Sequence, residues 1–377
     1  MSARFHSILF CCVALMFGRC KPSTDKPVNT PGSDRVRYAE GFKISQQGNA
    51  TRIDVTYPYQ GASSGYTYLL VPRGQTPPEH SQDVRVIYTP VERIVCTSTT
   101  HIPLLDYLGV TDALVGFPSP DYISSEKMRA RIDEGKVTNL GIDKGLNLER
   151  LAVLKPDLVM GYTMTSDYGQ FRKIESMNIP VVINAEYLEH HPLGRAEWIK
   201  FVGAFFNREA EADSIFRAIE HQYQVVKAAV DTIENRPTVL TGIVYGDAWF
   251  LPAGENYAAR ILNDAACHYL WSDMPGNGFL ELSFETVFAK AHDADFWIGT
   301  GPYDSRAALS GADQRYSRFK PYWTDRVYHY DALTGARGGN VFLELGYLRP
   351  DIILRDIIEI AHPSVLDHEL YFYRKLE

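Results

Sequence analysis

Asn147-Leu148-Glu149-Arg150-Leu151-Ala152-Val153-Leu154-Lys155-Pro156-Asp157-Leu158-Val159-Met160-Gly161 is one complete structural phrase. Asn147 is an N-cap residue type, and Glu149 then falls in the first helical turn, where a carboxylate meets the positive end of the helix dipole. Pro156 stops the helix, Asp157 opens a short apolar strand, and Gly161 ends it. The phrase returns as Ser283-Phe284-Glu285-Thr286-Val287-Phe288-Ala289 and, after a slightly longer turn, Asp295-Phe296-Trp297-Ile298-Gly299. A capped helix, a turn, an Asp, a strand and a Gly thus occur once in each half of the chain.

Outward from this phrase the alternation continues. Arg93-Ile94-Val95-Cys96 reads as a strand, polar Thr97 to His101 as the turn after it, and Leu104, Leu105 and Leu108 as one face of a helix that Gly109 ends. Ala113 to Phe117 and Val181 to Asn184 predict further strands. A long helix is expected from about Arg208 to Ile233, with Ile215, Ile219, Tyr223, Val226 and Val230 on one stripe. Arg236-Pro237 stops it, and the alternation restarts as a strand from Thr238 to Tyr245. Strands separated by helix-length segments predict an α/β fold of two lobes, each a central, mostly parallel sheet flanked by helices, joined by one long backbone helix. The expected divisions are an N-terminal lobe at 37–207, a connecting helix at 208–236 and a C-terminal lobe at 237–377. Alternating Thr51 to Tyr57 and Tyr66 to Val71, joined through Gly61 and Gly65, predict an extra β-hairpin region at 37–90.

At the start of the chain, Arg4 and His6 precede an apolar run, Ile8 to Phe17, too short to span a bilayer. Residues 1–20 read as an export signal ending Phe17-Gly18-Arg19-Cys20, and 21–36 as a polar tether. The ending resembles a bacterial lipoprotein signal, which implies lipidation of Cys20 and attachment to the membrane of the cell envelope or periplasm. Arg19 stands where a small residue is usual, which leaves plain secretion open. The net charge is −8 and the pI about 5.8, without a basic stripe, so no nucleic-acid partner is expected. Cys96 and Cys267 sit in apolar settings in opposite halves and are expected as free, buried thiols.

The opening strand before Tyr107-Leu108-Gly109-Val110, the Asn147–Asp157 block and the Phe284-Glu285 block together resemble the solute-binding proteins of ABC importers for ferric siderophores, haem and cobalamin, over roughly residues 90–360. That resemblance implies a monomer working with an ABC permease and ATPase, no catalysis, and no resident cofactor beyond a metal chelate as cargo. It also implies that Glu149 and Glu285, one per lobe, dock on permease arginines. An iron chelate is the expected cargo, with a corrinoid, a bare Zn or Mn ion, or the substrate of an exported hydrolase as alternatives.

Open α/β sheets bind ligands outside the carboxyl ends of their strands. That rule selects Thr100, His101, Tyr122 and Tyr162 in the first lobe, and Trp249, Phe250, Tyr303 and Arg337 in the second. The rings suit a flat or macrocyclic chelate, and the guanidinium suits its carboxylates. No H-x-x-x-H spacing supports bare-metal ligation by His101, and no Walker, H-E-x-x-H or G-x-G-x-x-G motif supports an enzyme.

Overall fold

The computed structural model describes residues 36–377 apart from 144, 167 and 302. The expected signal, the expected lipidation site Cys20 and nearly all of the expected tether lie outside the described residues.

The chain enters the fold on two buried carboxylates. Glu197 accepts hydrogen bonds from the backbone of Arg37, Tyr38 and Ala39 and from Lys200 Nζ (2.9 Å), while Glu189 accepts from Glu40, Gly41 and the Trp198 indole. A buried carboxylate holding this many donors loses little by leaving water. β1 (Phe42–Gln47), β2 (Ala50–Val55), β3 (Tyr66–Pro72) and β4 (Arg85–Thr89) follow as one sheet in that order. The expected hairpin is β2–β3. It is enlarged by β1, which turns at Gly48 (φ +62°), and by β4, which runs parallel to β3 after a crossover. The period of two puts Ile53, Val55, Tyr68 and Leu70 into the main core, and Leu69 and Val71 into a small cluster on the other face.

The first lobe alternates as expected: β5 (Ile94–Cys96), α1 (His101–Tyr107), β6 (Leu114–Phe117), α2 (Glu126–Asp133), β7 (Thr138–Asn139), the small hairpin β8 (Gly141–Ile142) and β9 (Gly145–Leu146), α3 (Leu148–Leu154), β10 (Leu158–Gly161), α4 (Gly169–Glu175), β11 (Val181–Ile183) and α5 (Pro192–Phe205). Its sheet is wholly parallel, in the order β11-β10-β5-β6-β7. Nearly every residue of these strands is buried, as a sheet covered on both faces requires.

α6 (Glu209–Ala228) is the long helix, and it packs on α5. Its buried stripe is Ala212, Phe216, Ile219, Tyr223 and Val226, so Phe216 takes the place expected for Ile215. The second half contains β12 (Thr238–Leu240), β13 (Ile243–Tyr245), β14 (Ala248–Pro252), α7 (Tyr257–Asp264), β15 (His268–Tyr269), β16 (Phe279–Leu282), α8 (Phe284–Ala291), β17 (Phe296–Ile298), α9 (Arg306–Ala312), α10 (Lys320–Trp323), β18 (Val327–His329), α11 (Val341–Leu345), α12 (Pro350–Ala361) and β19 (Arg374–Lys375). The second sheet, β15-β12-β17-β18-β19, is parallel except for β19, and α12 also packs on α6.

The repeated phrase repeats in three dimensions. Asn147 Oδ1 caps α3 through Arg150 N (2.9 Å), and Ser283 Oγ caps α8 through Thr286 N (3.1 Å). Asp157 N donates to Arg93 O (2.8 Å) while its carboxylate accepts from Arg93 N; Asp295 N donates to Thr238 O (3.0 Å) while its carboxylate accepts from Thr238 N (2.9 Å). Each Asp thus clamps the start of its own strand to the start of the neighbouring one.

One expectation fails here. The stretch from Thr238 to Tyr245 is two strands, broken at Gly242 (φ +73°), where an added Cβ would stand 1.9 Å from Phe250 O. β13 leaves the parallel sheet and joins β14 and β16 in an antiparallel one. Trp249 and Phe250 therefore lie on a strand, not on a loop after one.

Candidate ligand-binding cleft

Both sheets end in buried polar side chains. After β5 come Thr97 and His101, and after β11 come Asn184 and Glu186; their exposures are 5, 0, 0 and 4%. Among the described residues Thr97 Oγ1, both ring nitrogens of His101, Asn184 Nδ2 and Glu186 Oε2 find no hydrogen-bond partner. In the second sheet the same is true of Thr300 Oγ1, after β17, and His329 Nδ1, at the end of β18. An unpaired buried polar atom costs about 1–3 kcal/mol, and these lie at the carboxyl ends of the strands, where open α/β sheets take their ligands.

Burial also sets the charge of these groups. It lowers the His101 imidazole to about 3, so the ring is neutral at any physiological pH. It raises the Glu186 carboxyl to about 7 despite the hydrogen bond that Thr100 Oγ1 donates to it (2.5 Å). The floor of the first lobe thus combines a neutral imidazole with a carboxyl that holds its proton about half of the time near pH 7. Among the described residues no group of three or more His, Cys, Asp and Glu converges as a metal would require.

Of the expected first-lobe residues, Thr100 bonds to Glu186, and His101 is buried after β5. Tyr162 is half-buried and donates to Asp143 Oδ2 (3.0 Å), its hydroxyl raised to about 12 by burial. Tyr122 is 62% exposed at the rim. In the second lobe Phe250 and Tyr303 are half-buried, and Arg337 is exposed at 3.5 Å from Asp121 and 3.9 Å from Asp133, so its charge faces the first lobe rather than standing free.

Trp249 is a correction. It is completely buried, packed at 5.4–5.7 Å against Trp297, Tyr316 and Phe319, with its indole N–H donating to Thr241 O (2.9 Å). Strand alternation turns Trp249 into the core and leaves Phe250 on the other face. Its role is structural.

Sequence reading missed Asn184, Glu186 and Tyr187 because the predicted strand ended at Asn184 and its following turn was not searched; the carboxyl-end rule applied to that turn finds them. It also missed Glu344. This carboxylate, 3% exposed on α11, accepts from Ser124 N (2.5 Å) and Ser125 N (2.9 Å) at the start of α2 in the other half of the chain. Beside it, loop 334–340 lies so close to the first lobe that a Cβ on Gly339 would stand 2.1 Å from Tyr122 O. Arg349 reaches the Tyr107 hydroxyl (2.9 Å), and the Arg195 guanidinium sits 3.8 Å from the Tyr257 ring and 4.3 Å from Tyr347.

Glu149 and Glu285 are both exposed, each in the first turn after its cap. The α3 cap hangs from the carboxyl end of β6 through Asn147 N to Leu140 O (2.8 Å) and Leu140 N to Phe117 O (3.0 Å). α8 follows β16, whose sheet is held at the carboxyl end of β12 by the indoles of Trp249 and Trp297, bonded to Thr241 O and Gly242 O. Both carboxylates therefore lie toward the carboxyl ends of the strands of their own half of the chain.

Known proteins agree with this geometry. An uncharacterized lipoprotein of Methanocaldococcus jannaschii is 24% identical over 383 residues, covering 94% of this chain and 89% of its own length. A periplasmic binding protein from Veillonella parvula superposes with a TM-score of 0.60 at 16% identity, covering 84% of this chain and 99% of that one. The siderophore-binding protein FhuD from Vibrio cholerae, solved with Fe3+-Desferal, gives 0.53 at 17%, covering 72% of this chain and 99% of its own. The family profile described as periplasmic binding protein matches residues 94–332, more than half of the chain. This chain belongs to the periplasmic binding protein family, whose members are substrate-binding transport proteins and not enzymes.

Proposed function

We propose that the protein is the extracytoplasmic binding component of an ABC importer, capturing an iron chelate, a ferric siderophore or haem, in the cleft and delivering it to the permease. The carrying observation is the set of unpaired, buried polar atoms at the carboxyl ends of both sheets; the half-buried Tyr162, Phe250 and Tyr303 support it. Polar groups together with rings suit a large conjugated or macrocyclic guest with polar edges. The cargo of the Vibrio cholerae relative supports iron as the metal.

In this reading Glu149 and Glu285 present one carboxylate per lobe to two arginine pockets of the permease, so docking reports that both lobes are in place. Cys20, when lipidated, tethers the protein to the membrane through residues 21–36, and the lipoprotein relative supports that anchorage. Among the described residues no helix is long and apolar enough to cross a membrane. The protein acts as a monomer.

Visible absorption of the purified protein, followed by native mass spectrometry after incubation with a ferric trihydroxamate, a ferric catecholate, haemin and cobalamin, tests the proposal. A stoichiometric complex with an iron chelate is expected. Capture of cobalamin alone replaces iron with a corrinoid, and turnover of any probe removes the transport reading.

A further inference from the structure

The sheet of residues 42–89 precedes the residues that the family profile matches, and FhuD covers only 72% of the chain. Nothing above gives this sheet a part in capture. Its position does. Phe42 packs on Trp198 (4.8 Å) and Phe201 (5.6 Å) of α5, and the Tyr68 hydroxyl accepts from Ile183 N (2.9 Å), closing the free edge of β11. β3 is thereby fixed along the edge of the first sheet.

Two contacts set which end of β3 meets the cleft. Tyr66, its first residue, packs against Tyr168 in the segment after β10 (5.7 Å), and the Arg85 guanidinium lies 4.6 Å from the Tyr66 ring and 5.8 Å from the Tyr168 ring. Just before β3, the backbone N–H of Gln60 approaches the Tyr187 hydroxyl, which itself donates to Thr163 O (2.7 Å). Tyr187 follows β11 and Thr163 follows β10, so the β2–β3 loop meets the first sheet at the carboxyl ends of its strands. Tyr187 adjoins Glu186 of the polar floor.

We propose that the β2–β3 loop, residues 56–65, is a wall of the cargo site contributed by this extra sheet. The inference rests on the cleft reading above. The loop is Thr56-Tyr57-Pro58-Tyr59-Gln60-Gly61-Ala62-Ser63-Ser64-Gly65, the mixture of rings, small polar residues and glycine that recognition loops use. It is also ordered by its own bonds. Ala62 N donates to Tyr59 O (3.1 Å) over Gly61 at φ +78°, the glycine position of a type II turn, and Gly65 passes so near β2 that a Cβ would stand 2.1 Å from Val55 O. A pre-ordered loop loses little entropy when a guest binds. Tyr57, 52% exposed, and the exposed Gln60, Ser63 and Ser64 are side chains it can offer, of which Tyr57 and Gln60 are the largest.

Hydrogen exchange by mass spectrometry on the intact protein, with and without whichever of the four probes forms a complex, is the test. Peptides covering 56–65 should gain protection together with those covering 184–187. In parallel, Tyr57→Ala with Gln60→Ala should weaken that complex about tenfold or more with Tm unchanged. Protection at 184–187 with none at 56–65, or affinity within twofold of wild type, overturns the inference and leaves the proposed function standing. A protein that binds none of the probes removes both.

Discussion

At the scale of single residues, two carboxyls carry the sharpest pH dependence. Burial holds both Glu186 and Glu344 at about 7, up from an ordinary 4.5. A carboxyl raised in the folded state keeps a proton that the unfolded chain has released. Its stabilisation is fully present below pH 4.5 and is lost as pH rises through 7, by at most roughly 3 kcal/mol per group. Asp106, itself raised by burial and hydrogen-bonded to Ser125, adds repulsion near Glu344. Thermal melts should therefore show Tm falling between pH 5 and 8, and Glu344→Gln should flatten part of that slope; an unchanged slope refutes the assignment. The exposed pair behaves differently. Glu149→Ala with Glu285→Ala should leave chelate affinity within about twofold in titrations, because neither touches the polar floor, while cellular uptake collapses.

Among the elements, β14 decides how the second lobe should be perturbed. Sequence reasoning expects substitution at Trp249 to weaken capture with the fold intact. Its burial among Trp297, Tyr316 and Phe319 reverses that: Trp249→Ala should cost about 3–5 kcal/mol, read by denaturant melts, with affinity retained in whatever remains folded. The start of the chain is held with comparable force. Glu197 serves three backbone donors and Lys200, and its replacement by Ala leaves those backbone donors without their acceptor and Lys200 with Asp213 (3.3 Å) in place of a buried carboxylate.

The whole molecule is held together along α6, which packs on α5 from the first lobe and α12 from the second. A continuous helix resists the dihedral changes that a loop hinge absorbs, so loading should change the radius of gyration only slightly in small-angle scattering. What can loosen is the contact of loop 334–340 with Tyr122 and the grip of Glu344 on α2. Gly339→Ala drives a Cβ into Tyr122 O and should speed chelate release about tenfold in stopped-flow measurements, the effect of roughly 1.4 kcal/mol.

What this sequence determined by itself is whatever short-range bonding and periodicity dictate. Asn147 and Ser283 cap their helices, Gly109 ends α1 at φ +68°, and Cys96 and Cys267 are buried free thiols. Such features depend on neighbours a few residues away or on a repeated apolar pattern, and a linear reading reaches them. The tertiary structure alone decided that Trp249 faces the core, that Glu344 bonds to residues more than two hundred positions away, and that loop 56–65 comes to Tyr187. Those outcomes depend on a strand leaving its sheet at Gly242 and on which loops meet at the ends of the strands. Both are long-range packing choices that no local spacing encodes.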